Sequence, residues 1–283
     1  MAAKQMWFGT REYMTWIPCP AINYDASRSG WGSGPLRYIN GGAYVRRSVY
    51  GSKSYNFSWN MKTRDEVRVI NDFAEGLYGN DLIYFIDPFA MDKNILPQYW
   101  AAPMLGASDA PLLAGESSPS LIASNATANG YPASSAVYNL LADSVRPSLM
   151  IPIPPGHSLW LGAHGTNIGG GRVTATPYIS GSAGSAQNLT ILTTSTMQRV
   201  NTSFNGDTYD WVSLELGGTG GIVLTGVIGQ ILPNGVVPQE GGFISGQGHS
   251  GCAFATLPQL SQYSVALDKV SLSINLVETG AWL

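Results

Sequence analysis

The chain predicts a mainly β fold: an N-terminal β-sandwich with one α-helix, a linker, and a C-terminal β-sandwich. Three observations predict it. Charged residues make up 12% of the 283 positions, about half the usual share of a soluble domain, while 44% are hydrophobic. The 34 glycines punctuate short segments that alternate apolar and polar residues. One segment alone combines helical periodicity with a start signal. The texture changes twice, which places the N-terminal unit at 1–100, the linker at 101–136 and the C-terminal sandwich at 137–283.

Taken in order, 43–50 (AYVRRSVY) reads as a strand, and 53–60 (KSYNFSWN) alternates strictly. Tyr55, Phe57 and Trp59 share one face, and Ser54, Asn56 and Ser58 the other. Gly51-Ser52 between these segments has the size of a two-residue hairpin turn. The helix is expected over 63–78. Thr63 and Glu66 form a T-x-x-E capping box, and Asp65 suits the positive first turn. Val67, Ile70, Phe73, Ala74 and Leu77 make its apolar face, and Gly79-Asn80 supplies a left-handed stop. A buried strand, 82–86, ends at Asp87-Pro88. The 101–136 stretch is rich in Pro, Gly, Ser and Ala and holds no period. Its apolar pairs Met104-Leu105, Leu112-Leu113 and Leu121-Ile122 suit grooves on a neighbouring surface. Strand-length segments then follow at 158–165, 172–180, 188–194, 209–218, 221–232, 251–257, 262–267 and 270–278, which is a sandwich or jelly roll.

A formal net charge of −3 excludes a general nucleic-acid binder. No apolar run is long enough for a membrane span, and the first sixteen residues lack the apolar core of a signal peptide. Cys19 and Cys252 read as free thiols of a reducing compartment. With three histidines, His157, His164 and His249, and no C-x-x-C, neither a metal nor another cofactor is expected. The stretch 246–252 (GQGHSGC) comes within one residue of the G-x-S-x-G turn that presents a serine nucleophile, here Ser250. That turn leads into a helix, whereas here a short strand follows, so the glycines read as bulge and loop residues. Glu215 alternates with Leu214 and Leu216 and sits most simply on a solvent face, which leaves no evident carboxylate pair for a glycosidase. The chain is therefore expected not to be an enzyme. Phe204, Asn205, Asp207, Tyr209, Asp210 and Trp211 mix amides and carboxylates with aromatic faces, as a glycan contact would. A polar hairpin loop with core aromatics on its shoulders gives the same pattern. Arg37, Arg46, Arg47 and Lys53 form a mild basic cluster, either a solvated strand face or a subunit contact.

The wording of the N-terminal third is more specific. The segments FGTREYMTWIPCPAINYDASRSGWGS, LRYINGGAYVRRSVYGSKSYNFSWN and GNDLIYFIDPFAMDKNILPQYWAAP resemble minor tail proteins of phages that infect actinobacteria. Their arrangement is similar to that of the distal tail protein family. The resemblance implies a ring-forming N-terminal sandwich and a C-terminal sandwich of galectin or carbohydrate-module type. It implies a structural virion protein at the tail tip, made in the host cytoplasm, that joins tail tube to tip. The partners expected are copies of itself (a hexamer or trimer), the tail tube protein, other tip or baseplate proteins and a host glycan. Arg46, Arg47, Tyr55, Phe57 and Trp59 are the expected ring contacts. A lectin or a cell-wall glycan hydrolase is the alternative.

Overall fold

The computed structural model describes residues 5–21, 25–31, 36–37, 43–44, 47–101, 120–123, 134–140, 148–167, 170–189, 198–218, 220–238, 246–264 and 268–279. These form a mainly β protein, and the chain divides into two units, Met1–Tyr84 with Gly251–Gly280, and Phe85–Ser250 with Ala281–Leu283.

The first unit begins with β1 (Gln5–Gly9), β2 (Met14–Pro18), β3 (Asp25–Trp31), β4 (Leu36–Arg37), β5 (Ala43–Tyr44), β6 (Arg47–Thr63), α1 (Arg64–Ala74) and β7 (Tyr84–Ile86). Ten strands later the chain returns with β18 (Cys252–Ser264) and β19 (Lys269–Glu278). The order in the larger sheet is β18-β19-β6-β3, and a second sheet runs β2-β1-β7. Alternation works as expected on β6. Tyr55, Phe57 and Trp59 are 4%, 2% and 0% exposed, opposite the buried Leu276, Ile274 and Leu272 of β19. Met6, Phe8 and Ile17 add the apolar face of β1 and β2, and α1 contributes Val67, Ile70 and Phe73.

The helix starts as its sequence requires. The Thr63 hydroxyl accepts from the Glu66 amide, and the Glu66 carboxylate accepts from the Thr63 amide at 2.7 Å. It stops earlier than expected. Gly76, at φ +76°, takes the left-handed position. Gly76 N–H then donates to the Phe73 carbonyl, and Leu77 N–H to that of Asp72, which is a Schellman ending. Leu77 consequently lies outside the helix and is 67% exposed.

Two local expectations fail in this unit. Gly51-Ser52 is no turn: β6 runs straight through it, and Ser52 and Lys53 pair with Ser29 and Arg28. The segment 43–50 is not the partner of 53–60, because Ala43–Tyr44 pairs with Leu36–Arg37 while residues 47–50 begin β6 itself. A glycine-serine pair permits a turn but does not impose one when both flanking strands find long-range ladders. The domain boundary moves for the same reason. Because β19 pairs with β6, residues 251–280 belong with the N-terminal unit rather than with a sandwich extending to 283. What sequence texture divides as two consecutive domains is one domain with another inserted in it.

The inserted unit contains α2 (Gln98–Ala101), β8 (Ser120–Ala123), β9 (Ser134–Leu140), β10 (Ser148–Pro152), β11 (His157–Asn167) and β12 (Arg172–Ile179). It continues with β13 (Ser182–Ala183), β14 (Gln187–Leu189), β15 (Gln198–Asn205), β16 (Trp211–Gly217) and β17 (Gly220–Pro233). One sheet runs β15-β11-β17-β9-β8, and the other β10-β16-β12-β13, with β14 also on β12. Leu159, Leu161, Ala163, Ile222 and Leu224 from the first, with Leu149, Ile151, Val173, Leu214 and Leu216 from the second, are buried to 3% or less and form a sandwich core. The expected linker is partly strand: β8 and the start of β9 lie in it, and β9 pairs with β17. Its 120–123 piece has few charges and an apolar pair, enough to finish a sheet edge. Met104-Leu105 and Leu112-Leu113 lie outside the described residues.

Candidate functional site

The 201–211 stretch is where glycan contact is expected, and its geometry favours the plainer reading. Phe204 and Trp211 are buried at 2% and 6% exposure, so their faces are unavailable for stacking on a sugar. The Phe204 ring lies edge-on to Tyr209, with centroids 6.1 Å apart. The polar side chains are committed to bracing loops. Asp207 Oδ1 accepts from Gly156 N–H at 2.7 Å and its Oδ2 from Asn234 Nδ2 at 2.6 Å. Asn205 Oδ1 accepts from Asp207 N–H at 2.8 Å, and Asp210 Oδ2 from Ser180 N–H at 2.6 Å. Backbone donors that the bends leave without strand partners are satisfied in this way. Asn234, at the far end of β17, joins the network unannounced by the sequence around 201–211. An Asn-Gly pair after an apolar strand was the available signal.

The GQGHSGC stretch likewise resolves into structure. Gln247 N–H donates to the Asn94 carbonyl at 2.8 Å and Gly248 N–H to that of Leu96 at 3.1 Å, so the stretch lies directly against residues 94–97. A Cβ on Gly248 would overlap the Ile95 carbonyl oxygen, and one on Gly246 that of Leu96. The glycines are there for close backbone approach. His249 is held by Phe85 in this arrangement. Its Nε2 donates to the Phe85 carbonyl at 3.1 Å, and its ring lies 4.1 Å from that of Phe85. Ser250 is buried at 8% exposure. His157 is similarly tied, its Nδ1 donating to the Pro155 carbonyl at 3.1 Å.

Residues 91–96 in turn cover the part of β17 that β9 leaves open. Asn94 is fully buried, and its side chain imitates a strand backbone. Its Oδ1 accepts from Gly229 N–H at 3.0 Å and Leu96 N–H at 3.2 Å, while Nδ2 donates to the Val227 carbonyl at 3.1 Å. Nothing in the sequence marks Asn94, because its partners on β17 lie more than 130 positions away.

The expected ring contacts fare unevenly. Tyr55, Phe57 and Trp59 face the core, and the Trp59 indole donates to the Pro18 carbonyl at 2.7 Å, so they cannot meet a neighbouring subunit. Arg46 lies outside the described residues. Arg47 opens β6, where it pairs with Trp31 of β3. Lys53 is buried, its amide donating to Glu278 Oε2 at 3.2 Å. What the sheet leaves available instead is its edge. β18 carries no charged residue in its 13 positions. Its first residue, Cys252, exchanges backbone hydrogen bonds with Ile83; beyond that β18 ends the sheet among the described residues, and Leu257 and Leu260 on it are 73% and 50% exposed.

Neither Cys19 nor Cys252 is in a disulfide. Burial pushes the Cys252 thiol well above its usual range, with Glu278 adding to the rise, so it is an inert core thiol. Among the described residues, no group of three or more His, Cys, Asp or Glu is placed to hold a metal ion. No described helix is long and apolar enough to cross a membrane.

No protein-family model and no curated protein matches the chain. Among solved structures it is similar to the enzymatically active domain of bacteriophage CBA120 tailspike protein 4, at 12% identity and TM-score 0.32, over 49% of this chain and 21% of that one. It is also similar to a xylan-binding domain from Paenibacillus barcinonensis, at 10% identity and TM-score 0.30, over 43% of this chain and 85% of that one. A third likeness is to a structure of infectious bursal disease virus, at 13% identity and TM-score 0.24, over 96% of this chain and 63% of that one. Likenesses this remote leave function to the chain's own surfaces.

Proposed function

We propose that the protein is a structural component of a phage tail tip, which associates with copies of itself into a ring between tail tube and tip and does no chemistry. One observation carries the reading: the two ends of the β18-β19-β6-β3 sheet. Neighbours along this sheet are all antiparallel, so β18 and β3 run in opposite directions. Copies related by rotation about an axis parallel to these strands keep their strand directions. The β18 edge of one copy therefore meets the β3 edge of the next in antiparallel register, and the pattern continues across the junction. A long, uncharged edge with exposed leucines is a hazard for a monomer and an asset for an assembly. Head-to-tail contacts of this kind close into a ring when the rotation between copies divides a full turn. Pro258 lacks a donor and sits where the β18–β19 register shifts, so pairing takes place on either side of it. The residues of β18 after Cys252 are fewer than the roughly 20–30 per side of a stable interface, so closure, with two contacts per subunit, is what holds the ring.

The resemblance of the N-terminal third to actinobacterial distal tail proteins supports the same reading. It leaves the inserted sandwich to dock other tip proteins or a host surface. The test is light scattering over a concentration series, alone and with the tail tube protein. A discrete multiple of the 30.1 kDa chain is expected, and Leu257→Lys with Leu260→Lys should abolish it without lowering the melting temperature. A monomer under both conditions would refute the ring.

A further inference from the structure

We propose that Asn234 is a site of spontaneous deamidation, and that its conversion releases one end of the inserted sandwich. Four Asn-Gly pairs occur in the chain, at 40–41, 129–130, 205–206 and 234–235, of which the last two are described. In this reaction the glycine nitrogen attacks the asparagine Cγ. A Cγ–N bond forms, the Cγ–Nδ2 bond breaks, and the glycine proton leaves on ammonia. Water then opens the resulting cyclic imide to aspartate or isoaspartate. The step needs a backbone N–H that is free and an uncrowded following residue.

The two described pairs differ on both counts. Gly206 N–H donates to the His157 carbonyl at 2.8 Å, and a Cβ there would overlap the Pro154 carbonyl, so Asn205 is held out of reaction. Gly235 N–H makes no hydrogen bond among the described residues. Gly235 stands at φ +83°, and a Cβ on it would meet nothing within 4 Å. The asparagine amide is also polarised. Ser158 Oγ donates to Asn234 Oδ1 at 2.7 Å, which draws electrons from the carbon under attack.

The consequence follows from what Asn234 braces. Its Nδ2 donates to Asp207 Oδ2 at 2.6 Å and Asn205 Oδ1 at 3.3 Å, and its N–H donates to the Gly156 carbonyl at 3.0 Å. Aspartate at this position loses both side-chain donors and sets a second carboxylate against Asp207. The isoaspartate product adds a backbone methylene to the same bend. Either product frees the 233–237 loop, where Val236 and Val237 are already 45% and 67% exposed.

The experiment is incubation of the purified full chain in mildly alkaline buffer, followed by peptide mapping that separates aspartate from isoaspartate. Acid at position 234 should accumulate at least about fivefold faster than at 205, the factor expected from the hydrogen bond that Gly206 must break. Equal rates at the two positions, or an unchanged Asn234, would overturn the assignment. Ser158→Ala should slow the conversion, and a faster one would refute the role given to its hydroxyl. Asn234→Asp should make the 233–237 loop an early protease site while the rest of the map stays intact; a loop that resists cleavage like the parent would refute the release.

Discussion

Replacing Gly248 by alanine is the sharpest test of what the serine-bearing stretch is for. The added methyl falls well inside van der Waals contact of the Ile95 carbonyl, which is backbone and cannot rotate away. Two hydrogen bonds depend on that approach, from Gln247 N–H to Asn94 and from Gly248 N–H to Leu96. Losing them costs about 1 kcal/mol each. Forced overpacking adds about 1–3 kcal/mol. The sum, about 3–5 kcal/mol, shifts the melting of a domain this size by roughly 10 °C. Calorimetry is the assay, because two units can give two transitions and only that of the inserted unit should move. Ser250→Ala is the control: it removes a hydroxyl without adding volume and should cost no more than about 1.5 kcal/mol. A Gly248→Ala protein melting within about 2 °C of the parent would refute the close approach. A Ser250→Ala protein that folds normally but yields dead particles would return Ser250 to consideration as a nucleophile.

Asn94→Ala should destabilise the inserted unit by about 2–4 kcal/mol in denaturant titration, because it strands the buried Val227 carbonyl and Gly229 amide without partners. Glu66 gives a small acid limb. Its hydrogen bonds from Thr63, backbone first, lower its pKa below the ordinary 4.5. The contribution is therefore present above that value and lost as pH falls through the folded pKa, and Glu66→Gln should remove it from a stability–pH profile. Tyr84 gives an alkaline limb. Burial, with Asp81 adding, raises its pKa from 10.0 to about 12, so stability present below pH 10 is lost towards 12; Tyr84→Phe should flatten that limb. A thiol reagent applied to the native protein should label Cys19 and spare Cys252, which reacts only after denaturation.

What the sequence showed and what it hid divide by the range of the interaction. The cap of α1 needs only Thr63 and Glu66, three residues apart, and it was legible in full. The left-handed stop falls at Gly76 rather than Gly79, three residues earlier than expected, because both glycines offer one and only packing chooses between them. The faces of β6 were right, but their role was not. Alternation says that Tyr55, Phe57 and Trp59 share a side, and only β19, more than 200 positions later, decides that the side is the core. Of the candidate site, the polar composition of 201–211 was visible. That its oxygens are spent on Gly156, Ser180 and Asn234 follows from loops that meet only in the folded sandwich.

The discontinuous first unit completes its sheet only when its C-terminal strands are made. β6 lies at the centre of its sheet and takes β3 on one side and β19 on the other. Until residues 269–278 exist, the row Tyr55, Phe57 and Trp59 lacks its cross-strand partners Leu276, Ile274 and Leu272. The edge proposed to meet the next copy, β18, is itself held by β19. Long-range pairing of this kind closes late, since the loop entropy must be overcome before the contacts form. A chain lacking residues 251–280 therefore has neither a finished core in this unit nor the β18 edge. The proposed ring is accordingly open only to subunits that carry β18 and β19, which excludes the defective copy that would leave a gap.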